Sequence, residues 1–124
     1  MPWEISSERS VNLQLVDIIK QKILSGEYKP GQRMESVREL AAEAAVNPNT
    51  MQRALAELER EGLLYTNRTS GRFVSEDVLK IDDLRTDNAY SRTKEFYSEM
   101  IRSGFSVEEV KQLLERVISE EEQK

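Results

Sequence analysis

The sequence has no cysteine and no histidine among its 124 residues. Without cysteine, there is neither a disulfide framework nor a thiol nucleophile. Without histidine, the chain lacks the commonest general base and the commonest ligand of transition metals. These two absences argue against an enzyme, and we expect no catalytic residue, no metal site and no cofactor.

Long apolar runs are also missing. No stretch of about 18 apolar residues occurs, so no segment is predicted to span a membrane. The N-terminus reads Met-Pro-Trp-Glu and lacks the basic and apolar regions of a secretory signal. We therefore expect a soluble protein that is cytoplasmic and has no membrane partner.

An excess of positive charge is absent as well, because 18 Lys and Arg stand against 23 Asp and Glu, a net charge of −5. This balance alone argues against a general polyanion binder. Residues 1–75 hold ten basic and ten acidic side chains, whereas residues 76–124 hold eight basic and thirteen acidic ones. The shift predicts two functional segments, 1–75 and 76–124, which meet near Ser75 to Lys80.

The first segment is predicted to begin with one helix and to continue with two short ones. Ser10 is a plausible N-cap for the first helix, which runs to about Ser25. The residues Ser36-Val37-Arg38-Glu39 form a capping box that begins the second helix. Asn47 is a good N-cap and Pro48 a good first residue for the third. The alanines of these two helices allow close, steep packing, which is typical of a helix-turn-helix.

A β-hairpin is predicted directly after the third helix. Residues 63–66 and 72–74 have the composition of strands, and residues 67–71 have that of a turn. A hairpin in this place is the wing of a winged helix. The predicted fold class is therefore mainly α, an α+β winged helix-turn-helix followed by a C-terminal two-helix segment.

Two further helices are predicted after the hairpin. The fourth helix is expected to run from about Ile81 or Leu84 to Ser103, and a capping box at Ser106 begins the fifth. Their apolar faces need each other, the winged domain or a second copy of the chain as a partner. The candidate dimerisation residues are Phe96, Tyr97, Met100, Val110, Leu113, Leu114 and Val117.

If the third helix lies in a major groove of DNA, its outward side chains reach base edges or phosphates. Asn and Gln can bond adenine in bidentate fashion, and Thr can bond a base or contact the thymine methyl group. Free N–H groups at helix starts can hold phosphates, and arginines on the hairpin can approach the minor groove. The candidates on these grounds are Ser36, Arg38, Asn49, Thr50, Gln52, Arg53, Arg68 and Arg72.

Each candidate also has a structural interpretation. Ser36 and Asn47 are helix caps whatever else they do. Arg53 can pair with Glu57 four residues later, and Arg38 can pair with a nearby carboxylate. The arginines of the hairpin can serve solubility alone.

The residues between Leu15 and Val74 resemble the GntR family of bacterial transcription regulators. The motifs that carry the resemblance are Ile23 to Met34, Ser36 to Ala41, Val46 to Ala54 and Leu58 to Leu64. The run Asn47-Pro48-Asn49-Thr50 with Gln52, and a C-terminal part of only two helices, are similar to the YtrA subfamily. Glu35 stands where many relatives have Pro, and Thr69-Ser70-Gly71-Arg72 stands where many have Gly-x-Gly-Thr.

The resemblance implies a homodimeric, DNA-binding repressor, of a kind that often controls its own transporter operon. Family contacts carry over to Arg38, Asn47, Asn49, Thr50, Gln52, Arg53 and the wing glycine Gly71. The expected partners are a double-stranded, pseudo-palindromic operator, a second copy of the chain and an unidentified small-molecule effector. The alternative is a winged-helix module that binds proteins instead of DNA, which the net negative charge favours.

Overall fold

The computed structural model describes residues 3–124. Along the chain lie α1 (Val11–Leu24), α2 (Val37–Ala44), α3 (Pro48–Arg60), β1 (Leu64–Asn67), β2 (Gly71–Val74), α4 (Val78–Arg102) and α5 (Val107–Glu122). The chain divides into two compact units, of which the first ends at Arg85 and the second is Thr86–Lys124. The predicted fold class, a winged helix-turn-helix followed by a helical segment, is confirmed.

The helices of the first unit begin where their polar caps stand. The Ser36 hydroxyl accepts a hydrogen bond from the Glu39 backbone N–H at 3.1 Å, and the Glu39 carboxylate accepts one from the Ser36 N–H at 3.2 Å. The Asn47 side chain accepts one from the Asn49 N–H at 2.7 Å. These bonds satisfy N–H groups that have no partner inside a helix, so α2 and α3 begin where the sequence predicts.

The turn between α2 and α3 depends on Ala45, which has a left-handed backbone with φ of +58°. The Val46 N–H donates to the Ala41 carbonyl at 2.9 Å and closes the end of α2. Glycine or asparagine is the usual residue in this conformation, because a Cβ atom makes it costly. The sharp reversal brings the start of α3 close to α2.

The core of the first unit lies among α1, α2, α3 and the hairpin. Both α1 and α2 pack against α3. The fully buried side chains are Leu15, Ile19, Ile23, Leu40, Met51, Leu55, Leu58, Leu63 and Val74. Because the inner face of α3 is held by this core, its opposite face is left towards solvent.

The hairpin is antiparallel, with Leu64 opposite Val74 and Asn67 opposite Gly71. β1 is shifted by one residue from its prediction of 63–66, since Leu63 instead donates its N–H to the Leu58 carbonyl at the end of α3. β2 ends at Val74 as predicted and begins one residue earlier than expected, at Gly71. An unpredicted extended segment, residues 31–34, lies beside β2. The Met34 N–H donates to the Arg72 carbonyl at 2.8 Å, and Arg33 pairs with Phe73 in an isolated bridge.

The predicted start of the fourth helix was wrong, because α4 begins at Val78 rather than at Ile81 or Leu84. Asp77 caps it, since its side chain accepts a hydrogen bond from the Lys80 N–H at 3.1 Å. The first compact unit extends to Arg85 because Ile81 is buried in the winged-helix core and Leu84 packs against it. A division into functional segments at residue 75 stays a prediction.

The second unit leaves most of its apolar side chains exposed. Of the seven candidate dimerisation residues, Phe96, Tyr97, Leu113, Leu114 and Val117 are 37–53% exposed. Met100 is half-buried, and Val110 is buried within its own chain. Val110 therefore stabilises the unit from inside and offers little surface to a partner.

Candidate nucleic-acid interface

The outward face of α3 carries polar side chains that are free of the core. Asn49, Gln52 and Arg53 are exposed, and Thr50 is half-buried. Met51, on the opposite face, is fully buried. The helix therefore presents amide, hydroxyl and guanidinium groups in its first two turns, where contacts to base edges concentrate in helix-turn-helix proteins.

The start of α2 brings a second group of predicted residues to the surface. Ser36 serves as the cap, and Arg38 is exposed in the first turn. Hydrogen bonds from the backbone and side chain of Ser36 lower the pKa of the Glu39 carboxyl, which holds its negative charge at the helix start. Within residues 3–124, neither Arg38 nor Arg53 forms an ion pair, and Glu57 pairs with Arg60 instead of Arg53. The structural interpretation of these two arginines is not supported.

The tip of the hairpin is an exposed turn built on Asn67. Its side chain accepts a hydrogen bond from the Thr69 N–H at 3.0 Å. Arg68 is exposed there, with no carboxylate within ion-pair distance in the part of the chain that the structure describes. Gly71 ends the turn with φ of +106°, a left-handed conformation that favours glycine. The backbone conformation of the turn therefore explains why a glycine stands at position 71.

Arg72, in contrast, is committed to a contact inside the protein. Its side chain is 13% exposed, and its Nε atom donates to Oε1 of Glu59 at 2.9 Å. Partial burial alone would raise the pKa of the Glu59 carboxyl, but hydrogen bonds from Thr66 and Arg72 and the charge of Arg72 lower it. The pair ties the second strand of the wing to the end of α3, which the sequence-based interpretation of Arg72 did not include.

A cleft of about 530 Å³ separates the start of α2, the outer face of α3 and the wing. It brings together Ser36, Gln52, Gly71 and Arg72 of the predicted residues. The predicted residues that do not line it are Arg38, Asn47, Asn49, Thr50, Arg53 and Arg68. Arg33 and Thr66 also line the cleft, although neither is among the residues predicted from the sequence. Arg33 lies before the capping box in a segment without helical or strand periodicity, and the signals it carries in the sequence are its positive charge and its place in the motif Ile23 to Met34.

Among the described residues, no group of three or more Asp or Glu side chains is arranged to hold a metal ion. In the same part of the chain, no helix has the length and apolar character needed to cross a membrane.

Comparison with known proteins gives consistent matches. The profile of the bacterial regulatory proteins of the gntR family matches residues 12–74. The uncharacterized HTH-type transcriptional regulator YhcF of Bacillus subtilis is 34% identical over 110 residues, which cover 89% of this chain and 91% of YhcF.

Two further matches concern the subfamily and the whole fold. The HTH-type transcriptional repressor YtrA of Bacillus subtilis is 45% identical over 65 residues, which cover 52% of this chain and 50% of YtrA. The solved structure of a GntR family transcriptional regulator from Listeria monocytogenes is 37% identical and superposes with a TM-score of 0.85. That match covers 90% of this chain and 98% of the Listeria chain.

Proposed function

The chain belongs to the GntR family of bacterial regulatory proteins and to its YtrA subfamily, and from this premise we propose that it represses transcription as a homodimer bound to operator DNA. As a member of that family it is a transcriptional regulator and not an enzyme. The proposal concerns what it binds, through which residues, and in what assembly.

The observation that carries the proposal is the exposed polar face of α3 beside a cleft bounded by the wing. We assign base reading in the major groove to Asn49, Thr50 and Gln52, since amide and hydroxyl groups can bond base edges there. Arg53 lies on the same face and is within reach of a base or a phosphate. Asn47 contributes through its cap, which sets the direction of the helix.

Phosphate and wing contacts complete the proposed interface. We assign backbone phosphates to Arg38 and to the free N–H groups after Ser36 at the start of α2. Arg68 at the exposed tip of the hairpin is assigned to the minor groove. Gly71 and Arg72 act by holding the hairpin in place, because the glycine supplies the turn and the arginine pairs with Glu59.

Charge and assembly support the same function. The acidic excess lies in residues 76–124, so the net charge of −5 does not fall on the winged helix. The exposed apolar side chains of the second unit are a surface that a second copy would cover. A homodimer would place two copies of α3 on half-sites about one helical turn apart, which predicts a pseudo-palindromic operator.

Regulation forms the last part of the proposal. We propose that the protein acts in the cytoplasm and represses its own operon, in which we expect transporter genes. We also expect a small-molecule effector, whose chemistry the sequence does not identify. That effector must bind one arrangement of the dimer more tightly than another, because a ligand shifts an equilibrium only by its differential affinity.

The test is a gel shift with fragments of the chain's own promoter region at two salt concentrations. We expect a specific complex that weakens steeply with salt, because Lys and Arg displace counterions condensed on DNA. A variant with Asn49, Gln52 and Arg53 all changed to alanine should fold normally and lose the specific complex. Absence of any salt-sensitive complex with the parent would instead favour a protein-interaction module. Deletion of the gene should raise transcription of the target operon if the protein is a repressor.

A further inference from the structure

Arg33 has a fixed backbone position at the side of the wing. The Val74 N–H donates to the Gln32 carbonyl at 2.9 Å, and the Met34 N–H donates to the Arg72 carbonyl at 2.8 Å. These two bonds flank Arg33 and hold its extended segment beside β2, where Arg33 forms an isolated bridge with Phe73. Because the backbone of Arg33 is already fixed, its side chain loses less conformational entropy when it binds a ligand.

The side chain of Arg33 crosses the glycine that ends the wing turn. A Cβ atom built on Gly71 would lie 3.4 Å from Arg33 Nε and 3.6 Å from its Nη2. The guanidinium therefore lies within van der Waals distance of the wing turn, whose left-handed backbone is what calls for glycine at position 71. Arg33 and Gln52 of α3 line the same cleft.

Arg33 is exposed and, within residues 3–124, has no carboxylate oxygen within 4.0 Å. The other arginine that lines the cleft, Arg72, is paired with Glu59. The carboxylate of Glu39, which also lines the cleft, accepts the hydrogen bond of the Ser36 N–H. Arg33 thus brings to the cleft a guanidinium that has no ion-pair partner among the described residues. The carboxylates of Glu35 and Glu39 also line the cleft, and the charge of Arg33 helps to lower the pKa of Glu39.

We infer that Arg33 binds a phosphate of the DNA backbone between the groove read by α3 and the groove approached by the wing. The inference rests on the proposed function. If α3 occupies a major groove and the hairpin tip a minor groove, the strand of phosphates that separates the two grooves must pass over the cleft between them. A guanidinium matches a phosphate in bidentate geometry and keeps its charge at any pH of interest.

The test compares Arg33→Gln with a matched control, Arg85→Gln. Arg85 is an exposed arginine of α4 that pairs with Asp82 and does not line the cleft. Binding is measured by fluorescence anisotropy over a series of salt concentrations. The probes are the promoter fragment that the parent binds and an unrelated 30-base-pair duplex, the latter of a length chosen to be about three helical turns.

Loss of one phosphate contact per subunit should lower the slope of log K against log[salt] by ~0.9 for each subunit, so by about 2 for a dimer. The same slope corresponds to roughly 5-fold weaker binding per contact at 0.15 M salt. Arg33→Gln should show these losses equally on both duplexes, with an unchanged melting temperature. Arg33→Lys should keep most of the salt slope, and Arg85→Gln should resemble the parent.

Each other outcome has a defined meaning. An unchanged slope in Arg33→Gln, with a parent that binds normally, overturns the phosphate contact and leaves the proposed function intact. A loss confined to the promoter fragment also overturns it, because a phosphate contact does not depend on sequence. A parent that binds neither duplex overturns the proposed function itself, and the inference with it.

Discussion

Among the single side chains, Gln52 is the best placed to choose a base. It is exposed on α3, and its amide lies at the cleft rather than in a contact with the protein. We expect Gln52→Ala to relax the choice at one base pair of each half-site, with a loss of about 1–3 kcal/mol on the matched sequence. Binding to a set of duplexes with single substitutions measures this discrimination.

The contrast variant is Arg38→Ala. It should weaken binding to every duplex by a similar factor and lower the salt dependence, because Arg38 is assigned to a phosphate. Gln21→Ala, at an exposed position of α1, controls for loss of an amide elsewhere. If Gln52→Ala distinguishes the bases at every position as well as the parent does, Gln52 does not read a base.

Glu35 is predicted to make stability depend on pH. Burial raises the pKa of its carboxyl above the ordinary value, and the charge of Glu43 and a hydrogen bond with it add to the increase. The folded state therefore holds this proton more tightly than the unfolded chain. The stability it contributes is present at low pH and is lost as pH rises through the raised pKa. Tyr28, beside the same carboxylates, has its pKa raised to about 12 by burial and by Glu35, Glu43 and Glu27.

Replacing Glu35 by Gln should thus raise the melting temperature at pH 7, where the carboxylate is ionised next to Glu43. The gain should shrink towards pH 4, where the parent's carboxyl is protonated as well. Thermal unfolding followed by circular dichroism at the two pH values measures both effects. Glu8→Gln, at an exposed position in no ion pair among the described residues, should leave the melting temperature unchanged. A lower melting temperature for Glu35→Gln at pH 7 would contradict the argument.

The sequence predicts residues whose role is local far better than residues whose role depends on distant partners. Ser36 and Asn47 are recognised as caps because their partners lie within three positions. The partner of Arg72 is thirteen positions away, and only the packing of the hairpin against α3 brings the two together. Arg33 was missed for the same reason, since its importance comes from Gly71 and Gln52.

Between the wing and α3, Glu59 forms polar links with both Arg72 and Thr66, and the link with Arg72 is an ion pair. We expect Arg72→Met, which keeps most of the side-chain bulk, to lower the free energy of unfolding by about 1–3 kcal/mol. The reason is that it leaves a half-buried carboxylate without its charged donor. Denaturant unfolding measures the loss, and amide hydrogen exchange in β1 and β2 should become faster.

The double variant Arg72→Met with Glu59→Gln supplies the control for that prediction. Removing the charge from both partners should recover part of the lost stability, because no ionised group is then left unpaired. If Arg72→Met is as stable as the parent, the pair does not hold the wing, and Arg72 is free to contact DNA.

Helices and strands differ in how well the sequence predicts them. The capping boxes at Ser36 and Ser106 mark the starts of α2 and α5 correctly. The start of α4 was placed too late because Asp77 was not considered as a cap. The segment 31–34 was missed because its four residues have no periodicity, and because its pairing with β2 is a tertiary contact.

For the chain as a whole, the separation of charge was visible in the sequence, but the assembly was not. Counting charges locates the acidic excess in residues 76–124, and the exposed apolar side chains of α5 lie in that segment. The spacing of apolar residues in a sequence does not distinguish an apolar helix face that packs within its own chain from one that packs against another chain. Within α5 the structure shows the difference, since Val110 is buried whereas Leu113 and Leu114 are 37% and 48% exposed.

We therefore expect Leu113→Asp or Leu114→Asp to weaken dimerisation, because each places a charge in an apolar surface that a second copy would cover. Sedimentation equilibrium should show a shift towards monomer. Operator binding should fall with it, since two linked half-site contacts become two independent ones. Gln112→Asp introduces the same charge on the face of α5 opposite the apolar stripe, and it should remain dimeric. If both leucine variants stay as dimeric as the parent, the interface lies elsewhere on the chain.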